Sequence, residues 1–146
     1  MRKFTFRLES LLKIYINREE NVKREIVIWT EKLKKTRNSL LTLTEMHIKA
    51  LRGLVESQKG KISVHQLISN HDFCLVLKNN IEQKQKEVVE LENILENKKN
   101  ELLELHKQRK ILEKLKERQL TNYVAEELKT IQNELDEIAG NSFISQ

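Results

Sequence analysis

The sequence predicts an all-α protein in which two long helices form an antiparallel coiled-coil hairpin, with the second helix overhanging at the terminal end. Ala, Glu, Leu, Lys and Arg together make up about half of the 146 residues, and there are three glycines and no proline. Residues 80–139 contain neither glycine nor proline and carry apolar residues at steps of three and four. This composition and spacing are typical of coiled coils.

The second helix carries the clearest heptad pattern. Lys84, Lys98 and Arg109 fill the steps between its apolar residues, which are Ile81, Val88, Leu91, Leu95, Leu102, Leu105 and Leu112. A helix that is apolar on one side only requires a partner helix to cover that side. After Leu112 the pattern moves in steps of four through Lys116, Leu120, Val124 and Leu128, which indicates a stutter, before Ile131, Leu135 and Ile138 restore the alternation.

The first helix is expected to span about residues 4–57. Two consecutive steps of four, from Arg18 through Val22 to Ile26, indicate another stutter. His47 lies on the pattern with no Cys, Asp or second His three or four residues away, so we interpret it as a histidine within the helix–helix contact. The pattern otherwise consists of Leu8, Leu11, Tyr15, Trp29, Leu33, Thr36, Leu40, Leu43, Ala50 and Leu54.

The turn between the helices is predicted at about residues 58–62. Gly60 can adopt the left-handed backbone that ends a helix, and Ser63 followed by Gln66 forms a capping-box pattern for the next helix. A short connection between two long amphipathic helices makes them antiparallel. The second helix is expected over about residues 63–139, with Gly140 ending it, residues 140–146 as a short tail and residues 1–146 as one coiled-coil domain. A break at Asn70–Asp72 is the alternative, because these residues can also cap a new helix.

The two helices differ in length, so part of the second should lack a partner. Folding about the turn pairs residues whose numbers sum to about 120, which places Leu8 opposite Leu112. The second helix would then overhang by about 23 residues, on the order of 35 Å, or by about 14 residues if it breaks near Asp72. The overhang is a candidate docking surface; self-association and fraying are the alternatives.

Four apolar residues near the start of the second helix lie off the heptad pattern: Ile68, Phe73, Leu75 and Val76. They form a second candidate surface. The alternative is that a helix broken near Asn70 folds back and covers them.

Charge, cysteine content and motifs exclude several classes of protein. The net charge of +5 comes from interleaved signs, which is typical of a solvated coiled-coil surface rather than a nucleic-acid interface. The single Cys74 permits no internal disulfide, and neither a secretory signal nor a membrane span is evident, so we expect a cytoplasmic protein. Phosphate-binding loops, metal-ligand motifs and nucleophile motifs are missing as well, so we expect no enzyme, no catalytic residue, no metal and no cofactor.

The two ends of the chain resemble the flagellar export protein family FliJ. The resemblance lies in Phe4-Thr-Phe6-Arg-Leu8-Glu-Ser-Leu11-Leu12, in Leu112-Glu-Lys-Leu-Lys-Glu-Arg118-Gln119 continuing through Tyr123, and in Leu135-Asp136-Glu137-Ile138-Ala139. Chain length and turn position are similar too. The sequence departs from the family at Met46 and Ala50, where aromatic residues often stand.

The resemblance implies a non-enzymatic coupling protein of the flagellar type III export apparatus, at the cytoplasmic face of the inner membrane. Its implied partners are the hexameric ring of the export ATPase FliI, which it enters as a central stalk, the export gate protein FlhA and flagellar export chaperones. Membrane association would come only through the apparatus. It implies gate contacts at Phe73 and Leu77 and ATPase contacts at Leu8, Leu11, Leu12, Arg118, Tyr123, Val124, Leu128, Ile131 and Leu135.

Two other functions fit the composition. A basic coiled-coil adaptor would bind nucleic acid or an anionic surface, although the interspersed acidic residues argue against it. A structural homodimer is the third interpretation.

Overall fold

The computed structural model describes residues 3–60 and 63–144, and within them it contains two α-helices and no strand. Helix α1 spans Glu9–Ser57 and helix α2 spans Val64–Ile144. The helices pack against each other as a hairpin, which confirms the predicted fold class.

Helix α1 begins at Glu9, five residues later than predicted. Residues 3–6 have no regular structure, residues 7 and 8 form a turn, and the amide of Glu9 donates to the carbonyl of Phe6 (3.1 Å). In a helix residues i and i+2 point to different sides, about 200° apart around the axis. The irregular start therefore allows both Phe4 and Phe6 to contact α2, as described below, and the prediction was wrong because it considered helical periodicity alone.

The turn forms by a different mechanism from the one predicted. At the end of α1 the amides of Gln58 and Lys59 donate to the carbonyls of Val55 and Glu56, three residues back (3.3 and 3.1 Å), so the last turn tightens. None of the glycines in the described residues has a positive φ, so Gly60 does not supply a left-handed cap. The predicted cap on α2 is present: the Ser63 hydroxyl accepts from the amide of Gln66 (3.2 Å). Residues 61 and 62 of the predicted turn lie outside the described residues.

Helix α2 is continuous through both positions where the sequence suggested an end. Asn70–Asp72 lie within it, so the alternative of a break there is wrong. Gly140 also lies within it and has a negative φ, so the prediction that the helix ends there was wrong. A glycine costs a helix interior about 1 kcal/mol relative to alanine, and no proline follows to enforce a stop. Residues 145 and 146 of the predicted tail are outside the described part of the chain.

Contacts along the chain group into two compact units. The terminal unit comprises Met1–Asn21 and Leu102–Gln146, and the middle unit comprises Val22–Glu101. The prediction of a single domain over residues 1–146 stays a prediction. In the middle unit the buried residues are Val22, Leu33, Cys74, Leu77 and Leu95. In the terminal unit Phe6, Leu12 and Leu112 form the buried core, and Phe4, Leu8, Tyr15 and Leu115 pack around it.

The pattern of buried residues along α1 does not contain the stutter that was predicted there. The buried or half-buried positions run Leu8, Leu12, Tyr15, Glu19 and Val22, in strict steps of four and three. Glu19 therefore occupies a heptad position that the sequence interpretation had assigned to Arg18. The prediction was wrong because a glutamate was taken for a surface residue.

The stutter predicted after Leu112 is also not seen in the contact with α1. Lys116 and Tyr123 continue the heptad steps and are half-buried, whereas Leu120 and Val124 are exposed. Leu120 and Val124, which the predicted steps of four include, therefore lie on another side of α2 from the contact face.

The pairing of the helices is shifted from the predicted sum of about 120. Within the terminal unit Glu9 pairs with Lys116 and Phe4 with Tyr123, and within the middle unit Glu25 pairs with Lys98, so the sums are 125, 127 and 123. A sum of 124 places every heptad position of α1 opposite one of α2, as with Leu12 and Leu112. With a sum of 120, only every second heptad position of α1 lies opposite a heptad position of α2. The pairing is shifted from the predicted one because a sum of 124 brings all the heptad positions of the two helices into contact.

Candidate docking surface

Within the described residues, the contact between the start of the chain and α2 ends near Tyr123: Glu127, one helical turn further on, is half-buried, and residues 128–144 are exposed. The rings of Phe4 and Tyr123 lie 5.5 Å apart at an interplanar angle of 47°, a tilted arrangement within the favourable range for aromatic pairs. Since α2 continues to Ile144, about 21 residues extend past this pair, on the order of 31 Å. The overhang is thus close to the predicted length, although the residues at which it begins and ends both differ from the predicted ones.

An apolar strip runs along this part of α2. We call it the overhang strip, and its residues are between 38% and 64% exposed: Leu120, Val124, Leu128, Ile131, Leu135 and Ile138. Steps of three and four keep these side chains on one side of the helix. Burying each would contribute about 1.5–3 kcal/mol relative to leaving it in water. A row of six exposed apolar side chains is typical of a surface that binds another protein.

The overhang strip lies on a different side of α2 from the contact with α1. Val124 follows Tyr123 by one residue and so lies about 100° further around the helix axis. Tyr123 is half-buried and contacts Phe4, while Leu120 and Val124 beside it are exposed. The strip therefore starts alongside the irregular residues that precede α1, before the Phe4–Tyr123 pair is reached, and it is accessible there.

The structure divides the residues predicted to bind an ATPase into three groups. Val124, Leu128, Ile131 and Leu135 lie in the overhang strip. Leu12, at 4% exposed, is buried against Leu112, so its side chain is occupied within the hairpin.

The remaining predicted ATPase contacts lie around the end of the paired region. Leu8 packs on the terminal core, and Tyr123 is half-buried. Leu11 and Arg118 are exposed. The exposed side chains of Leu11 and Arg118 are therefore accessible to a partner. Contact with an ATPase stays a prediction for all four residues.

The two predicted gate contacts are neighbours on α2, one helical turn apart, but differ in burial. Phe73 is 50% exposed, and Ile68, Leu75 and Val76 near it in sequence are exposed to a similar degree. Leu77 is 3% exposed and belongs to the core of the middle unit. Because α2 is continuous here, the alternative that a folded-back segment covers these apolar residues is not supported.

A polar cluster in the terminal unit was missed. The buried Glu19 carboxylate accepts from the Nε and Nη2 of Arg109 and lies 3.2 Å from His106 Nδ1. Arg109 Nη1 also donates to Glu113 (2.6 Å). The hydrogen bonds to Glu19 and then to Glu113 raise the pKa of the Arg109 guanidinium, which keeps its charge. Counting heptad steps backwards from Val22 is the sequence signal that would have found Glu19.

The cluster does not resemble an active site. One carboxylate is neutralised by an arginine in bidentate fashion, which is a structural arrangement found in helix–helix contacts. Within residues 3–60 and 63–144, no three His, Cys, Asp or Glu side chains come together as metal ligands. In the same ranges, neither helix contains a stretch long and apolar enough to cross a membrane.

Comparisons with known proteins agree with this architecture. A solved structure of a putative YscO homologue from Chlamydia trachomatis is similar, with a TM-score of 0.58 and 17% sequence identity over 94% of this chain and 93% of that one. At this identity the likeness concerns the fold. The curated proteins give no match. The family model for the flagellar FliJ protein matches residues 4–146, and the chain therefore belongs to the FliJ family, with a role connected to type III export.

Proposed function

We propose that this protein is a non-enzymatic coupling and scaffold component of the flagellar type III export apparatus. In this proposal the terminal unit binds the ring of the export ATPase FliI as a central stalk. The same protein links the ring to the export gate protein FlhA and to flagellar export chaperones. Its place of action would be the cytoplasmic face of the inner membrane.

The observation that carries the ATPase part of the proposal is the overhang strip. Its six side chains are exposed on a helix that extends on the order of 31 Å past the Phe4–Tyr123 pair. A lone helix of this length with an apolar side fits a narrow apolar channel, such as the centre of a ring of subunits. Leu8, Leu11, Leu12, Arg118 and Tyr123 would support the base of the overhang or contact the rim of the ring.

The gate part of the proposal rests on the middle unit. Phe73 presents an exposed aromatic ring, and Leu77 one helical turn further on packs against α1 and fixes the position of that ring. We therefore assign the direct contact with FlhA to Phe73 and an indirect, structural part to Leu77.

The first experiment measures the ATPase rate of the cognate export ATPase with and without this protein. We expect stimulation and co-elution at micromolar concentrations. A chain ending after Glu126 keeps the Phe4–Tyr123 contact and should lose both effects while retaining the helicity of the paired region. Absence of stimulation and co-elution with the full chain would refute the proposal.

Substitutions in the overhang give a matched test. Leu128→Gln with Leu135→Gln polarises the strip without removing helix-forming residues. Lys129→Gln with Asn133→Gln changes neighbouring positions on other sides of the same helix. We expect the first pair to weaken ATPase binding at least about tenfold, since each exposed leucine contributes about 1.5 kcal/mol or more when buried. Equal binding by both pairs would remove the strip from the proposed interface.

The same samples distinguish the other two functions that fit the sequence. Retention on DNA that weakens steeply with salt would favour a nucleic-acid adaptor. A concentration-dependent dimer in sedimentation, lost in the Leu128→Gln, Leu135→Gln variant, would favour a structural homodimer.

A further inference from the structure

The charge of the overhang is opposite to that of the remaining chain. Residues 124–144 contain five carboxylates and one lysine, so their net charge is −4: Glu126, Glu127, Glu134, Asp136 and Glu137 against Lys129. The whole chain carries +5, which leaves +9 on everything else. The overhang is therefore an acidic segment on a basic protein.

Two of these carboxylates border the overhang strip. Glu127 lies three residues after Val124 and four before Ile131, and Glu134 stands in the same relation to Ile131 and Ile138. On a helix these spacings place each glutamate beside the strip residues it separates, and place the two glutamates on one edge about 10 Å apart.

The opposite edge of the overhang strip is uncharged. Thr121, Gln132 and Ala139 lie there, one residue beyond Leu120, Ile131 and Ile138 respectively. Among the described residues neither Glu127 nor Glu134 takes part in a salt bridge, although nine such pairs occur elsewhere in the same ranges. Glu127 is half-buried and Glu134 is exposed, so within the described residues this edge carries two carboxylates without a salt-bridge partner.

We propose that the overhang strip binds a protein surface that is apolar and bordered on one side by lysine or arginine side chains spaced about 10 Å apart. The two glutamates pair with those cations and fix which way the overhang is rotated within its site. This inference rests on the proposed function, since the partner is the ring of the export ATPase. Two overhangs of net charge −4 repel each other, so charge disfavours pairing of the strips of two copies.

The test uses two charge-reversal variants of the full chain with the same net charge. Glu127→Lys with Glu134→Lys reverses the edge of the strip. Asp136→Lys with Glu137→Lys reverses two carboxylates that lie on other sides of the overhang. Both variants raise the net charge by four, so any difference between them reports position rather than total charge. Circular dichroism checks that both keep the helicity of the wild type.

Affinity for the purified export ATPase is measured from low to high salt. We expect the Glu127, Glu134 variant to bind about tenfold more weakly than wild type and the Asp136, Glu137 variant to remain within about threefold. Wild-type affinity should fall with salt, and the fall should be smaller in the first variant than in the second.

Each of the other possible results contradicts either this inference or the proposed function. If wild type binds and the two variants weaken binding equally, or leave it unchanged, the acidic edge has no positional role and the inference is overturned while the proposed function stands. If wild type does not bind the ATPase, the proposed function fails and takes the inference with it. If the first variant abolishes self-association of the chain instead, a second copy occupies the strip and the inference is wrong about the partner.

Discussion

Two consecutive segments of α2 share the same spacing of apolar residues but have very different surroundings. Residues 102–123 lie within the paired part of the terminal unit, where Leu112 is buried and Leu115 packs on the core. Residues 124–144 of the same helix leave Leu128 and Leu135 about 60% exposed. Apolar residues at steps of three and four therefore serve two purposes in one helix, and only the presence of a partner decides between packing and docking.

The largest contrast is expected from truncating leucines on either side of this boundary. Leu12→Ala removes a buried side chain from the terminal core and should destabilise the protein by about 3 kcal/mol. Leu128→Ala should change stability by less than about 0.5 kcal/mol, because the side chain is already in water. Urea unfolding followed by circular dichroism measures both. A comparable loss in the Leu128 variant would mean that the overhang packs on something within the chain.

The buried charge pair of the terminal unit should give the next largest effect. Arg109→Ala leaves the Glu19 carboxylate without its bidentate partner, and we expect a loss of about 2 kcal/mol, at the low end for buried pairs because Arg109 keeps some contact with solvent. Replacing both residues, by Glu19→Leu with Arg109→Leu, should recover most of that loss. Lys129→Ala removes a cation from the overhang and serves as the control.

Comparing the two single variants with the double variant should reveal a coupling free energy between Glu19 and Arg109. If Glu19→Leu and Arg109→Leu were additive in unfolding free energy, the two side chains would act independently and the pair would not hold the helices in register.

The aromatic contact at the boundary itself should have a smaller, local effect. Phe4→Ala removes the pairing with Tyr123, and we expect a cost of about 1 kcal/mol, seen as faster amide exchange near the start of α1 and around residue 123. Phe143→Ala, at an exposed position far along the overhang, is the matched control. Unchanged exchange in the Phe4 variant would place the end of the paired region elsewhere.

The smallest effect concerns pH. The hydrogen bond from Lys98 to Glu25, with a 2.7 Å separation, raises the pKa of the Lys98 ammonium above its ordinary value of 10.5. Because the folded-state pKa is the higher one, this pair stabilises the protein fully below pH 10.5, and the stabilisation is lost as pH rises through the raised pKa.

Lys98→Met should accordingly reduce the decline of stability that wild type shows above pH 10.5, and Lys129→Met in the overhang should not. Thermal unfolding at a series of alkaline pH values measures the slopes. Identical slopes in wild type and the Lys98 variant would show that the pair contributes nothing in solution.

Much of the hairpin follows from local rules in the sequence. The heptad pattern of α2 correctly included Lys84, Lys98 and Arg109, because long polar side chains can keep their charge at the edge of a helix contact. The Ser63 cap was likewise predictable from a hydroxyl followed by a helical run.

Other features depend on contacts between residues far apart in the chain. Periodicity can place Glu19 on the heptad pattern, but it cannot show that the buried carboxylate is paired with Arg109, ninety positions later. The start of α1 depends similarly on what Phe4 and Phe6 contact. For the candidate site, the sequence predicted the overhang, but it assigned Leu12 and Leu77 to docking although both are core residues.

The irregular start of the chain has a consequence for the length of the docking surface. Five residues separate Phe4 from Glu9, whereas their partners Tyr123 and Lys116 lie seven residues apart on α2. The start of the chain therefore reaches about two residues further along α2, on the order of 3 Å, than a helical start would. The conformation of residues 4–8 therefore sets the position at which the paired region of α2 ends. Converting these residues to helix would lengthen the unpaired part of α2 without adding a residue to the chain.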